Sequence, residues 1–333
     1  MQFSVARHLG RRGLAGVLSL TLALVAFSAP ARADFPDRPI RLVVPFAPGG
    51  GTDLIARIMG ISLQKELGQP VLIDNRSGAA TIIGTDYVAK SPPDGYTLVM
   101  ATVAHSVNPS LQSKLPYDTD KAFAPVMLVG RSPNVLVVRA ASPYRSVADI
   151  LEAARRNPGK LSFASQGSGT SAHLAGELFK SLGKVDITHV PYRGAGPALT
   201  DVMAGQVDMM FATASAVGSF VEAGKLRALA VTTAERSPSA SLSQLPTVAE
   251  SGLPGYVADS WYGLFVPAGT PAAVIDRLNA AARKAVQTEA FRKRVESEGL
   301  VVSAGSPDDF GRYVRGEEQR WQKVIKAAGI TAD

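Results

Sequence analysis

Residues 40–59 read IRLVVPFAPGGGTDLIARIM. The apolar, β-branched run over 40–46 predicts a strand. Leu54, Ile55, Ile58, Met59 and Leu63 then recur at helical spacing until Gly68 stops them. Gly49, Gly50 and Gly51 fill the turn between. Glycine loses more conformational freedom on folding than any other residue, so three together need a reason. A Gly-rich turn leaves free N–H groups at a helix start, where the dipole adds roughly half a positive charge. Together they make an anion site without a cationic side chain. Thr52 or Asp53 is expected to cap the helix.

Working outward, 71–73 reads as a short strand, 81–90 as a helix and 96–101 as a strand. The same order of elements recurs between 160 and 213. Gly49 matches Gly167, Arg76 matches Arg193, and Thr102 matches Thr213, at offsets of 118, 117 and 111 residues. Two similar α/β lobes, each with a Gly-rich loop, are expected. Between them, residues 123–143 form two extended runs around Ser132-Pro133, a chain crossing. Ser146 and Asp149 predict a capping box. Thr270-Pro271 and Ser306-Pro307 open two C-terminal helices outside the repeat, which are expected to return to the first lobe.

The second loop, SQGSGTS, comprises Ser165, Gln166, Gly167, Ser168, Gly169, Thr170 and Ser171. Hydroxyls and amides converge there on a helix start that carries His173. Gly167-x-Gly169-x-x-Ala172 matches a dinucleotide fingerprint, but the acid about 20 residues on, Asp186, opens its strand rather than ending it. The first loop lacks the lysine of a phosphate-binding P-loop. Ser171 and His173 sit two apart on a helix and do not face each other, and no nucleophile elbow is present. No cofactor or metal is expected, because His105, His173 and His189 lack partners at ligand spacing. Arg76 and Arg193 can each grip a carboxylate or simply brace a turn.

The first 33 of the 333 residues read as a secretory signal peptide. Arg7, Arg11 and Arg12 precede an apolar stretch over 14–27, and Ala31-Arg32-Ala33 fits a cleavage site. Removing the four arginines of this segment takes the formal charge from +7 to +3, which is no nucleic-acid signature. Arg11-Arg12 leaves twin-arginine export open. There are no cysteines, so neither disulfides nor thiolate chemistry applies. The mature chain is expected to be periplasmic, soluble and monomeric.

Four stretches in order, PFAPGGGTDLIAR, SQGSGTSAHL, PYRGAGPALTDVMAGQVD and LPTVAESGLPGY followed by WYGLFVPAGTP, resemble signatures of the Bug family of periplasmic receptors. LPYDTDKAFAP is similar too, with Ala122 where an acid is usual, and Thr170 stands where serine is common. The resemblance implies an α/β, two-lobe periplasmic-binding fold of the second type, with a ligand cleft between lobes and two crossovers. Lobe I would span 34–132 and 256–333, and lobe II 133–255. It implies a small organic acid held by Phe46, Ala47, Pro48, Gly49, Gly50, Gly51, Thr52 and Asp53 on one side and by the Ser165–Ser171 loop on the other. Thr102, His105, Tyr192 and Thr213, at or just beyond C-terminal strand ends, are the further candidates. Lobe closure and docking on the membrane subunits of a tripartite tricarboxylate transporter follow. An exported hydrolase and a ligand-presenting sensor are the rival readings.

Overall fold

The computed structural model describes residues 35–296 and 299–331. The expected signal segment lies outside the described residues. Among the latter, no helix is long and apolar enough to cross a membrane.

The chain runs β1 (Ile40–Val44), α1 (Gly51–Leu67), β2 (Val71–Asn75), α2 (Ile82–Ala89), β3 (Thr97–Ala101), α3 (Val103–Leu111) and β4 (Phe123–Ser132). After Pro133 come β5 (Asn134–Arg139), α4 (Val147–Arg156), β6 (Ser162–Ser165), α5 (Ser171–Gly183), β7 (Thr188–Pro191), α6 (Ala195–Ala204), β8 (Met209–Thr213), α7 (Ala214–Glu222) and β9 (Leu226–Val231). The last part is β10 (Ser260–Pro267), α8 (Ala272–Gln287), α9 (Glu289–Glu296), β11 (Val301–Val302) and α10 (Pro307–Ala328).

Two sheets form, in the orders β11-β4-β10-β3-β1-β2 and β7-β6-β8-β5-β9. In the first, β1 lies between β2 and β3, parallel to both, and β3 meets β10 antiparallel. In the second, β6 lies between β7 and β8, parallel to both, and β8 meets β5 antiparallel. The repeated sequence therefore folds into the same motif twice. Buried on both faces, β1 and β3 are almost continuously apolar, as parallel strands between helical layers must be.

The chain leaves the first sheet at Ser132 and enters the second at Asn134, then returns between Val231 and Ser260. These are the two crossings. α8 packs on α1 and β4, and α10 on α3 and β4, so the C-terminal helices close the first sheet. Its core is aromatic: Phe310 and Tyr313 sit edge-on to the fully buried Trp261.

Local capping signals hold where their partners are adjacent. Ser146 with Asp149 and Ser306 with Asp309 both form complete capping boxes. The start expected at Thr270-Pro271 lies one residue later. Thr270 turns its hydroxyl back onto the Pro267 carbonyl at 2.7 Å, and Pro271 becomes the N-cap. The C-terminal helices number three among the described residues, not two. Thr288 breaks the first of the two expected runs, and its hydroxyl accepts the Phe291 N–H at 3.2 Å to start α9.

Candidate functional site

The β1–α1 turn is held by Asp53. The N-cap is Gly50, and no side chain caps the helix. Instead Asp53 Oδ2 accepts the Gly49 N–H at 3.0 Å and Arg57 Nε at 2.9 Å, while Oδ1 accepts Asn75 Nδ2 at 3.0 Å. Asn75 Nδ2 also donates to the Phe46 carbonyl at 3.1 Å. Burial by itself would raise the Asp53 carboxyl. The bonds from Arg57, Gly49 and Asn75, with the Arg57 charge, outweigh it and hold the group below the usual carboxylate range.

Gly50 and Gly51 of this turn serve close approach to the opposite lobe. A Cβ on Gly51 would collide with the hydroxyls of Thr213 and Ser215 and lie 3.3 Å from the Tyr262 oxygen. A Cβ on Gly50 would lie 3.4 Å from that of Ala195 at the start of α6.

The β6–α5 loop is braced from beneath by histidines. His173 Nδ1 accepts the Gly169 N–H at 3.0 Å, and its ring stacks on His189 at 4.3 Å. Ser165, with no exposed surface, shares a 2.7 Å hydrogen bond with His189 Nε2 and accepts the Gly167 N–H at 3.1 Å. In this contact Ser165 has no exposed surface and His189 is half-buried. Ser171 donates to Asn134, not to His173. Gly167 has φ +134°, a conformation only glycine adopts readily.

The wall facing this loop is one the sequence reading missed. Gly78, Ala79, Ala80 and Thr81 all have positive φ, at 128°, 45°, 53° and 75°. Three consecutive non-glycine residues in the left-handed region are rare and cluster at functional sites. The turn's carbonyls are used within the protein. Ala79 O accepts Ile82 N, Ala80 O accepts Asn108 Nδ2 and Thr81 O accepts Thr85 N, at 2.9, 3.0 and 3.1 Å. No acceptor among the described residues takes the N–H of Ala79, Ala80 or Thr81. Successive turn amides without protein acceptors can form an anion-binding concavity. Arg76, just before the turn, is engaged by Asp74 at 2.8 Å and lies over the Tyr87 ring.

Between these walls lies a small cavity of about 60 Å³. Pro45, Phe46 and the 78–81 turn line one side; Gln166, Gly167, Thr170, Tyr192 and Arg193 line the other. The buried Gln166 Oε1 has no partner. The Tyr192 hydroxyl donates to Asp201 Oδ2 at 2.5 Å; burial, then this bond and the Asp201 charge, push it up to about 12. Arg193 is the one charged side chain among the lining residues, and no acid is among them.

Of the remaining expected site residues, Ala47 and Pro48 pack against Gly194 and Gly196. Thr52 lies in the first turn of α1, and Thr213 sits over Gly51. Ser168 is half-buried on its loop, and Gly169 packs against Asn108 of α3. Thr102 is the buried N-cap of α3. His105, on the same helix, lines a different cavity.

The chain matches the family described as "Tripartite tricarboxylate transporter family receptor" (TctC) over residues 55–330. It is 42% identical over 327 residues to a protein encoded between tcbD and tcbE in Pseudomonas sp. strain P51, covering 98% of this chain and 97% of that one. Protein BugT of Bordetella pertussis is 36% identical, covering 95% and 97%. Among solved structures, an R. palustris protein with adipate superposes with a TM-score of 0.87 at 40% identity, covering 90% of this chain and all of that one. MatC of Rhodopseudomonas palustris with bound malate gives 0.83 at 35%, covering 87% and 100%. Two sheets joined by two crossings, with a cleft loop on each, are thus the two-lobe fold of these receptors, and the chain belongs to the TctC family of tripartite tricarboxylate transporter receptors.

Proposed function

We propose that this protein is an exported receptor that closes two lobes on a small organic carboxylate and presents it to the membrane subunits of a tripartite transporter. The observation that carries the reading is the cavity wall. Ala79, Ala80 and Thr81 line the cavity together with Gly167 and Arg193, the N–H groups of those first three have no acceptor among the described residues, and no acid is among the lining residues. Each hydrogen bond to a charged group is worth about 1.5–3 kcal/mol, so two or three support about micromolar binding. Adipate and malate in the R. palustris relatives fit the same chemistry.

On this reading lobe I comprises 34–132 and 256–333, lobe II comprises 133–255, and residues 1–33 are a signal peptide removed on export. The guest's carboxylate meets the 78–81 turn and the 165–171 loop, partly through water. The 46–53 turn shapes the closed interface beside it. A cavity of about 60 Å³ holds a few waters or one end of a small acid, so longer acids require the lobes to part. The protein acts as a monomer and catalyses nothing.

Calorimetric titration with malate, adipate, citrate and benzoate tests this. At least one diacid is expected to bind at about micromolar Kd, and Arg193→Gln to weaken it about tenfold, more than it weakens benzoate. A folded protein that binds none of the four overturns the reading.

A further inference from the structure

His105 is not among the residues that line the cleft cavity. It lies on α3, only 5% exposed, stacked on Phe265 at 4.5 Å and edge-on to Phe123 at 5.1 Å. Its Nδ1 has no hydrogen-bond partner. A buried polar atom left unpaired calls for an explanation. His105 lines a second cavity, of about 310 Å³, between α3, the start of β4 and α10. Thr119 lines the same cavity, and its Oγ1 is also buried without a partner.

The charges lining this cavity are the reverse of the cleft's. Asp120 and Glu318 stand against the single guanidinium of Arg315, and all three are exposed or half-buried. Burial, then the Asp120 charge, push the Glu318 carboxyl up to about 7, and Arg315 offsets this only in part. Burial pulls His105 down to about 4, so its ring is neutral near pH 7. Phe123, Phe265 and Val314 supply apolar surface.

We propose that this cavity is a second binding site, for a small organic ammonium ion with an apolar body. The ammonium sits between Asp120 and Glu318, the body lies on Phe123, Phe265 and Val314, and a polar group at its far end meets His105 Nδ1. A bare metal ion does not fit. Among the described residues no three His, Asp or Glu side chains converge on a point. Two acids at the mouth and an unpaired imidazole in the buried wall suit a guest with length. A carboxylate is repelled here and belongs in the cleft. Cation binding strengthens as pH rises through about 7, because Glu318 then ionises. Burial keeps the His105 ring neutral across this range.

Tyramine is the probe, with 4-ethylphenol as its partner lacking the ammonium, titrated calorimetrically into the intact protein at pH 6 and pH 8. The expected result is saturable 1:1 tyramine binding, tighter at pH 8, with 4-ethylphenol about tenfold weaker or worse. Glu318→Gln should weaken tyramine about tenfold and leave 4-ethylphenol unchanged. Asp120→Asn, at an exposed site that does not threaten folding, should weaken tyramine in the same sense. Absence of tyramine binding, equal affinity for the two probes, or wild-type tyramine affinity in both variants overturns the proposal.

Discussion

Ser171 Oγ donates to Asn134 Oδ1 across 3.1 Å, which fastens the start of α5 to the first chain crossing. Asn134 has no exposed surface. Its Nδ2 donates to the Ala258 carbonyl at 2.7 Å, and its main chain bonds Thr232 in both directions at 3.0 Å. One side chain thus ties both crossings to a cleft loop. Asn134→Ala leaves a buried hydroxyl and a buried carbonyl without partners, at about 1–3 kcal/mol each. A fall in Tm of about 5–10 °C is expected by calorimetry. Ser171→Ala removes one bond and costs about 1 kcal/mol. Because that hydroxyl points to the hinge, acid affinity should hold within about twofold. Lost binding at unchanged Tm would instead place Ser171 on the guest.

Asp53 makes the β1–α1 turn sensitive to acid. Its folded pKa lies below the ordinary value of 3.8. Its contribution to stability is therefore complete above 3.8 and is lost as pH falls through the folded value. The wild-type Tm should drop over that acid range more steeply than the Tm of Asp53→Asn, which carries no titrating group there. At neutral pH Asp53→Asn should be less stable by about 1–3 kcal/mol. Parallel Tm–pH curves for the two proteins would mean that Asp53 does not stabilise the turn by its charge.

Gly51 separates closure from folding. A Cβ there meets Thr213 and Ser215, which belong to the second sheet and the helix after it. These two severe clashes arise only when the lobes are together; the 3.3 Å approach to Tyr262, on β10 of the first sheet, is the lesser contact. Gly51→Val should therefore bind acid at least about tenfold more weakly, and its radius of gyration with ligand should stay that of an open form. The Tm without ligand should change little. A Tm loss equal in free energy to the affinity loss would assign Gly51 to folding alone.

How far these features could be read in advance depends on how local their causes are. The capping boxes at Ser146 and Ser306 needed only a partner three residues on. The doubled motif was visible because Gly49/Gly167 and Thr102/Thr213 punctuate both copies at nearly constant spacing. α3 and α7 were invisible. VAHSVNPSL contains a proline and β-branched residues, and ASAVGSFVE is short and glycine-interrupted, so packing overrides weak propensity in both. In the cleft, His173 at the start of the helix after its loop was legible from its position. That Gly51 faces Thr213 was not, since it depends on how the two sheets meet. The left-handed conformation of 79–81 gave no signal, because alanine has no preference for positive φ and the stabilising bond comes from Asn108, 28 residues away.

That turn gives the sharpest test of where the guest's charge lies. Ala80 at φ 53° carries a left-handed penalty of about 1–2 kcal/mol. Ala80→Gly removes the penalty but adds freedom to the unfolded chain, about 0.5–1 kcal/mol. Stability should shift by no more than about 1 kcal/mol, and acid binding should persist. Ala80→Val places a β-branched residue where it is strained, so the turn relaxes and its amides swing away from the cavity. A loss of about 1–3 kcal/mol is expected, with affinity falling at least about tenfold. Asn108→Ala should act likewise by releasing the Ala80 carbonyl, with less direct strain on the turn. If calorimetry finds wild-type acid affinity in both Ala80→Val and Asn108→Ala, the 79–81 amides do not touch the guest, and the anion must rest on the Gly167 loop and Arg193 alone.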